Sequence, residues 1–219
     1  MTSIAVNAIH SGMQMDGHWT GTPSLMVQLM DHQSAPRVML DGAYPAAEWD
    51  YIPANEIAIT KLLARRNGAT SPHFSLVGCG TLAEIIHSFR ERHVVLFCRE
   101  PARWDLIPLI ELLRSAGRTV QVLTTVMSDF LRPPEIWVSL VTLPIKQAAG
   151  EPPSYPHWPS EVLACIRWRS DLDRAEALYS HMAMVWLRPS PLADEGIYRQ
   201  CIAVATKHLG WRVTRKPSL

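Results

Sequence analysis

The chain has 219 residues, of which 47% are hydrophobic and 19% charged. That composition is the composition of a globular domain and excludes a disordered chain. A formal net charge of +1 excludes any bulk attraction to nucleic acid or to an acidic membrane surface. The length suffices for one α/β domain with a well-buried core, and no shift in composition marks a second, so residues 1–219 are expected to form a single unit.

Ile4 to Ile9 is a short apolar run and predicts a first strand. Ser11 to Pro23, with Gly12, Gly17 and Gly21, predicts a loop, and Ser24 to Met30 a second strand. Asp31 to Pro53 is a long connection with few regular signals, the kind that is usually functional or lid-like. Glu56 to Arg66 has helical periodicity, and Gly68 can end it. Thr81-Leu-Ala-Glu84 has the form of a capping box opening a helix that runs to Arg92. His93 to Cys98 is a near-continuous apolar strand of the kind buried on both faces. Asp105 to Gly117 predicts a helix with Asp105 as N-cap, Pro108 in the tolerated first turn and Gly117 at the C-terminal cap. Strands follow at Thr119 to Thr124 and Ile136 to Val141, then a proline-rich loop at Pro144 to Pro159. Val162 to Trp168, Ala183 to Leu187 and Trp211 to Thr214 are further strands, separated by helices at Leu172 to His181 and Asp194 to Leu209. This alternation predicts βαβ crossovers and a parallel sheet.

Cys79, Cys98, Cys165 and Cys201 show neither zinc-knuckle nor CxxC spacing, and their apolar surroundings point to buried thiols in a reducing compartment. The first ten residues lack a basic segment followed by an apolar run, and no apolar stretch is long enough to span a bilayer. A cytoplasmic location is therefore expected.

Three segments carry a resemblance. His93-Val-Val-Leu-Phe-Cys-Arg-Glu-Pro101, Asp105-Leu-Ile-Pro-Leu109 and Met13-Gln-Met-Asp-Gly-His-Trp-Thr-Gly-Thr-Pro-Ser24 resemble the "HVVITGGEP", "DLLPL" and "LQGEG…TGxPxxFxRL" segments of 7-carboxy-7-deazaguanine synthases. These are radical S-adenosylmethionine enzymes of 7-deazapurine and queuosine biosynthesis. Val185-Trp-Leu-Arg-Pro-Ser190 is similar to their "LQPIS". The resemblance covers nearly the whole chain in the right order, although no motif survives intact. It implies an α/β fold with an incomplete parallel (β/α) barrel of radical-SAM type, a homodimer or a heterodimer with an active paralogue, and a small pterin- or purine-like ligand. In the family the reaction uses S-adenosylmethionine, a [4Fe-4S] cluster and magnesium.

The resemblance also locates what is missing. The cluster-binding Cys-x3-Cys-x2-Cys falls on His32, Pro36 and Met39. Three thiolates are needed to hold such a cluster with one iron open, so no cluster is expected. The "GGEP" that admits the cofactor's methionine moiety reads Cys98-Arg99-Glu100-Pro101, with both glycines lost. The "ETSG" glutamate falls on Leu123, and the "SPK" lysine is absent at Val141-Thr-Leu143. These changes argue against S-adenosylmethionine binding. Met13, Gln14 and Met15 match the segment that contacts the pterin, while Gln28 replaces the arginine of "RL" that would pair with a substrate carboxylate. Asp41 falls near the magnesium-binding threonine, and with His32 it is a weak metal candidate, since one carboxylate makes no site.

Residues outside the motifs add little. His10, His18, His32, Asp16, Asp31 and Asp41 lack ligand spacing. Arg99 and Glu100 follow a strand end, where α/β sites lie, but plugging of an emptied pocket is the preferred reading. Trp19, Trp49, Tyr51, Tyr155 and Trp158 are either a stacking surface or loop anchors. Arg212, Arg215 and Lys216 read as a solvated basic tail. The expectation is a non-catalytic ligand- or partner-binding pseudoenzyme with no cofactor. The alternative is an enzyme using metal or acid–base chemistry at His32, Asp41 or Glu100 on a pterin- or purine-like substrate.

Overall fold

Parallel strands rich in Val, Leu and Ile stay in a sheet because both of their faces are covered, and that rule organises this chain. The computed structural model describes residues 3–14, 17–29, 50–51, 73–98, 105–125, 136–142, 159–190 and 193–214. In chain order these form β1 (Ser3–Met13), β2 (Pro23–Leu29), β3 (Asp50–Tyr51), β4 (His73–Gly78), α1 (Cys79–His87), β5 (His93–Phe97), α2 (Ile107–Ser115), β6 (Thr119–Thr124) and β7 (Trp137–Thr142). They continue with β8 (Glu161–Ile166), α3 (Arg169–Tyr179), β9 (Val185–Pro189), α4 (Glu195–Ala205) and β10 (Trp211–Val213).

The sheet order is β10-β9-β8-β7-β6-β5-β2-β1-β4-β3. Every neighbouring pair from β2 through β10 is parallel. The expected all-parallel sheet is corrected at the other end, where β1 runs antiparallel to both β2 and β4. A hairpin makes that reversal: β1 extends to Met13, beyond the predicted end at Ile9, and its register with β2 slips between Val6 and Ala8. Strand β4 was not anticipated, and β3 lies within the predicted 31–53 connection, the rest of which is outside the described residues, as is the predicted helix at 56–66.

Alternation along the strands sorts the core into two faces. One face carries Val94 and Leu96 of β5, Val120 and Val122 of β6, and Val138 of β7, packed with Leu82 and Ile86 of α1 and Leu109, Ile110 and Leu113 of α2. On the same face Val162, Ala164 and Ile166 of β8 pack with Leu172 of α3 and Ile197, Cys201 and Val204 of α4. Each of these large side chains, fully buried, contributes roughly 1.5–3 kcal/mol. The opposite face carries a smaller cluster of Val95, Leu123, Val141 and Leu163, to which none of the described helices contributes.

The caps separate right from wrong sequence signals. Asp194 caps α4, its Oδ1 accepting from the Ile197 N–H at 2.8 Å. Gly117 takes φ 77° after α2, with the Arg118 N–H donating to the Leu113 carbonyl at 3.0 Å. Asp105 does not cap α2, whose N-cap is Leu106 without a side-chain bond. Helix α1 begins at Cys79, two residues before Thr81, so no capping box forms there. No helix among the described residues is long and apolar enough to cross a membrane.

Gly210 joins α4 to β10 at φ 86°, and a Cβ there would lie 2.0 Å from the Ala183 carbonyl oxygen. Left-handed strain alone costs a non-glycine residue about 1–3 kcal/mol. Gly210→Ala is expected to lower the thermal midpoint by at least about 4 °C, read by calorimetry; an unchanged midpoint would show that the turn relaxes freely.

Candidate functional site

The face not covered by the described helices presents three tiers of side chains along the parallel strands. Ser24, His93, Gln121, Ser139 and Glu161 form the tier toward the N-terminal ends. Above it lies the apolar tier of Val95, Leu123, Val141 and Leu163, with Met26 and Trp186 packed against it. Gln28, Phe97, Cys165 and Arg188, all half-buried, occupy the same face toward the C-terminal ends.

The lower tier is polar yet fully enclosed: Ser24, Gln121, Ser139 and Glu161 have no exposed surface and His93 has 3%. Burying such groups is costly unless they are paired, and Glu161 is paired thoroughly. Its Oε1 accepts from the Ser139 hydroxyl at 2.6 Å and the Trp137 indole N–H at 3.1 Å. Its Oε2 accepts from the backbone N–H of His18 at 2.9 Å. The last bond pins the tip of the β1–β2 hairpin beneath the sheet. Gly17 at that tip has φ 81°, and a Cβ on it would meet Glu161 Oε1 at 2.6 Å, so the site demands glycine twice over. His18 stacks on Trp137 with ring centroids 4.7 Å apart, and Trp19 stacks on His93 at the same separation.

Hydrogen-bond direction fixes the chemistry of the remaining atoms. The Ser24 hydroxyl donates to the Thr22 carbonyl at 2.9 Å, so its short 2.7 Å contact with His93 Nδ1 is one in which Nδ1–H donates. Nε2 is then a bare acceptor. Burial pushes the His93 pKa down to about 4, which keeps the ring neutral. Gln121 Nε2 donates to Ser139 Oγ at 2.7 Å, leaving Oε1 as the second acceptor. His93 Nε2, Gln121 Oε1 and the Trp19 indole N–H are buried without a hydrogen-bond partner.

The residues singled out from sequence are distributed unevenly. Gln14 is buried, but its N–H donates to the Thr22 carbonyl and its own carbonyl accepts from Gly21, so its backbone closes the hairpin. Met13 is half exposed. Gln28 and Leu123 lie on the three-tiered face, Leu123 within the apolar tier. Cys98 is buried on the opposite, helix-covered face. Met15, His32, Pro36, Met39, Asp41, Arg99 and Glu100 lie outside the described residues. The sequence reading missed His93, Gln121, Trp137, Ser139 and Glu161 as a group. The available signal was a polar residue at alternate positions of otherwise apolar strands, as in Thr-Val-Gln-Val-Leu-Thr and Trp-Val-Ser-Leu-Val-Thr.

The cysteines give the fit test for an iron–sulfur cluster. Cys79 opens α1, Cys201 packs on α4 in the outer core, and Cys98 and Cys165 lie on opposite faces. Strands β5 and β8 are three apart, which separates the last two by roughly 14 Å. With no cysteine between 26 and 41, the residues present do not fit a [4Fe-4S] cluster.

An open sheet, parallel from β2 onward and with the described helices on one face, defines an α/β protein of the incomplete-barrel class. The fold matches the crystal structure of QueE from Escherichia coli with a TM-score of 0.70, covering 96% of this chain and 92% of that one at 20% identity. In sequence the chain is similar to the 7-carboxy-7-deazaguanine synthases of Escherichia coli (strain K12) and Shigella flexneri, 26% identical to each over 140 residues. That match spans 62% of this chain and 59% of the length of those relatives. No family model matches the chain.

Two outcomes test the tier. Glu161→Ala strands a backbone N–H, an indole N–H and a hydroxyl, and is expected to cost on the order of 3 kcal/mol, measured by urea unfolding. For His93, the unfolded chain takes up a proton near pH 6.5 and the folded chain only near pH 4. Stability therefore falls as pH drops from about 6.5 to about 4, by on the order of 3 kcal/mol. Unfolding curves across that range should steepen this loss in the wild type and flatten it in His93→Gln; identical pH profiles would contradict the assignment.

Proposed function

We propose that this chain is a ligand-binding relative of 7-carboxy-7-deazaguanine synthase that does not perform radical chemistry. The observation that carries the ligand half is the enclosed lower tier, where His93 Nε2 and Gln121 Oε1 are acceptors without donors and the Trp19 indole is a donor without an acceptor. A buried polar atom left unpaired costs about 1–3 kcal/mol, so a molecule supplying two N–H donors and one acceptor would recover that cost. The edge of a 2-aminopyrimidinone, as in pterins and 7-deazaguanines, has that pattern, and the flanking rings of Trp19, His18 and Trp137 suit a planar heterocycle. The similarity to the synthases supports the same ligand class. The non-catalytic half rests on the donor chemistry: His32, Pro36 and Met39 stand where three thiolates are required, and Leu123 in the apolar tier stands where a polar anchor is expected.

The test has two arms. Anaerobic reconstitution with iron and sulfide should yield no stoichiometric [4Fe-4S] cluster and no cleavage of S-adenosylmethionine; obtaining both would overturn the non-catalytic half. Thermal-shift titration with pterins and 7-deazaguanines should raise the unfolding midpoint by mass action, with about a tenfold weaker response in Gln121→Leu. A chain indifferent to every heterocycle of this class would overturn the ligand half.

A further inference from the structure

The polar tier is enclosed, so a ligand that pairs with it needs a way in. Toward the strand C-termini the apolar tier of Val95, Leu123, Val141 and Leu163 lies over it. Toward the N-termini it is met by the tip of the β1–β2 hairpin, residues 17–21, where His18 and Thr20 are exposed. The tip is tied chiefly to itself. The Thr20 N–H and hydroxyl both donate to the Gly17 carbonyl, at 3.1 and 2.7 Å, and the Thr22 N–H donates to the Trp19 carbonyl at 3.0 Å. Among the described residues it meets the sheet through one hydrogen bond, the His18 N–H to Glu161 Oε2 at 2.9 Å. Its other ties are ring contacts: His18 stacks on Trp137, and Trp19 stacks on His93 and stands edge-on to Trp137. Trp19 thus lies over His93, one of the groups a ligand has to reach, and both rings keep a buried nitrogen without a hydrogen-bond partner.

The strands that carry the tier are interior to the sheet, with a ladder on either side, and they part only when the sheet unfolds. A short segment with exposed residues and a single bond to the sheet opens at a far lower free energy. We propose that the hairpin tip is the gate of the polar tier, latched by the Glu161 carboxylate and opened by release of the His18 N–H. Lifting the tip takes Trp19 off His93 and gives a planar heterocycle a path to His93 Nε2 and Gln121 Oε1. Glu161 is the positioning residue of this device. Its bonds to Ser139 and Trp137 hold it on the sheet whether or not the tip is in place. Gly21, where the chain leaves the tip, has φ 86°, and a Cβ there would meet nothing within 4 Å. The backbone can therefore turn at that point without striking the sheet. The inference rests on the ligand-binding reading above and adds the route by which the ligand enters.

Residue-resolved native-state hydrogen exchange on the full chain reads the gate without any ligand. After correction for intrinsic rates, the His18 amide is expected to exchange at least about 100-fold faster than the Val122 amide, which lies in the β6–β7 ladder. Its rate should also be nearly insensitive to low urea, since a local opening exposes little surface. Equal protection at His18 and Val122, or the same steep urea dependence at both, overturns the proposal. Glu161→Gln keeps the side-chain size and removes one acceptor oxygen. It should speed exchange at His18 about tenfold beyond any change at Val122, and equal changes at the two amides overturn the latch. If that variant does not fold, the wild-type comparison decides alone. Saturating pterin or 7-deazaguanine should slow His18 exchange about tenfold or more. The two readings fail separately. A His18 amide that opens locally and that neither heterocycle slows leaves the moving tip standing and removes the ligand. A heterocycle that binds while His18 is as protected as Val122 removes the gate and leaves the ligand reading standing.

Discussion

The carboxylate of Glu161 is the constraint around which this face of the molecule is arranged. It enters β8 at its first residue, has no exposed surface, and is accepted into the interior because three donors from two elements meet it. Those donors come from the β1–β2 hairpin tip, from the first residue of β7 and from the third. A single side chain thereby ties the antiparallel edge of the sheet to its parallel centre across a sequence separation of 143 residues. Replacing such a node with an apolar residue would leave its donors stranded, whereas a wholly apolar tier would need no node at all. Beside this paired carboxylate, His93 Nε2, Gln121 Oε1 and the Trp19 indole N–H remain buried without a hydrogen-bond partner.

The two faces of the sheet divide the work. The helix-covered face is mostly apolar and supplies the burial that stabilises the fold, in two clusters that meet along β7 between Val138 and Leu140. The other face is graded along the strands: polar and enclosed below, apolar in the middle, and half-buried with Gln28, Phe97, Cys165 and Arg188 above. Leu123 is at home in the middle, clustered with Val95, Val141 and Leu163.

Much of the fold was legible in the sequence. Runs such as His93-Val-Val-Leu-Phe and Thr119-Val-Gln-Val-Leu-Thr give strands because branched apolar residues fit a sheet covered on both sides, and Asp194 and Gly117 mark helix ends by local chemistry alone. The failures are equally physical. Thr81 and Asp105 have the right chemistry for caps, but the helices they neighbour begin elsewhere, at Cys79 and Ile107. Strands β1 and β2 were anticipated but their antiparallel pairing was not, because strand direction is set by what lies alongside, and β4 was not anticipated at all. The reading of His32, Pro36 and Met39 against a cluster motif rests on side-chain chemistry alone, and these positions lie outside the described residues.

What the sequence determined by itself is therefore the parallel α/β alternation, the resemblance to the synthases and the lack of any cysteine between 26 and 41. Only the tertiary structure decided which polar residues matter together. His93, Gln121, Ser139 and Glu161 stand at four separate places in the chain and look like isolated exceptions in apolar strands. Strand alternation sets them on one face, hydrogen bonds link Gln121, Ser139 and Glu161, and the hairpin tip bonds Glu161 and stacks on His93. Arg212 likewise changes from a tail residue to a sheet residue paired in register with Trp186. The reason is that side-chain periodicity fixes a face within each strand, whereas the neighbour across the ladder is fixed by pairing between distant segments.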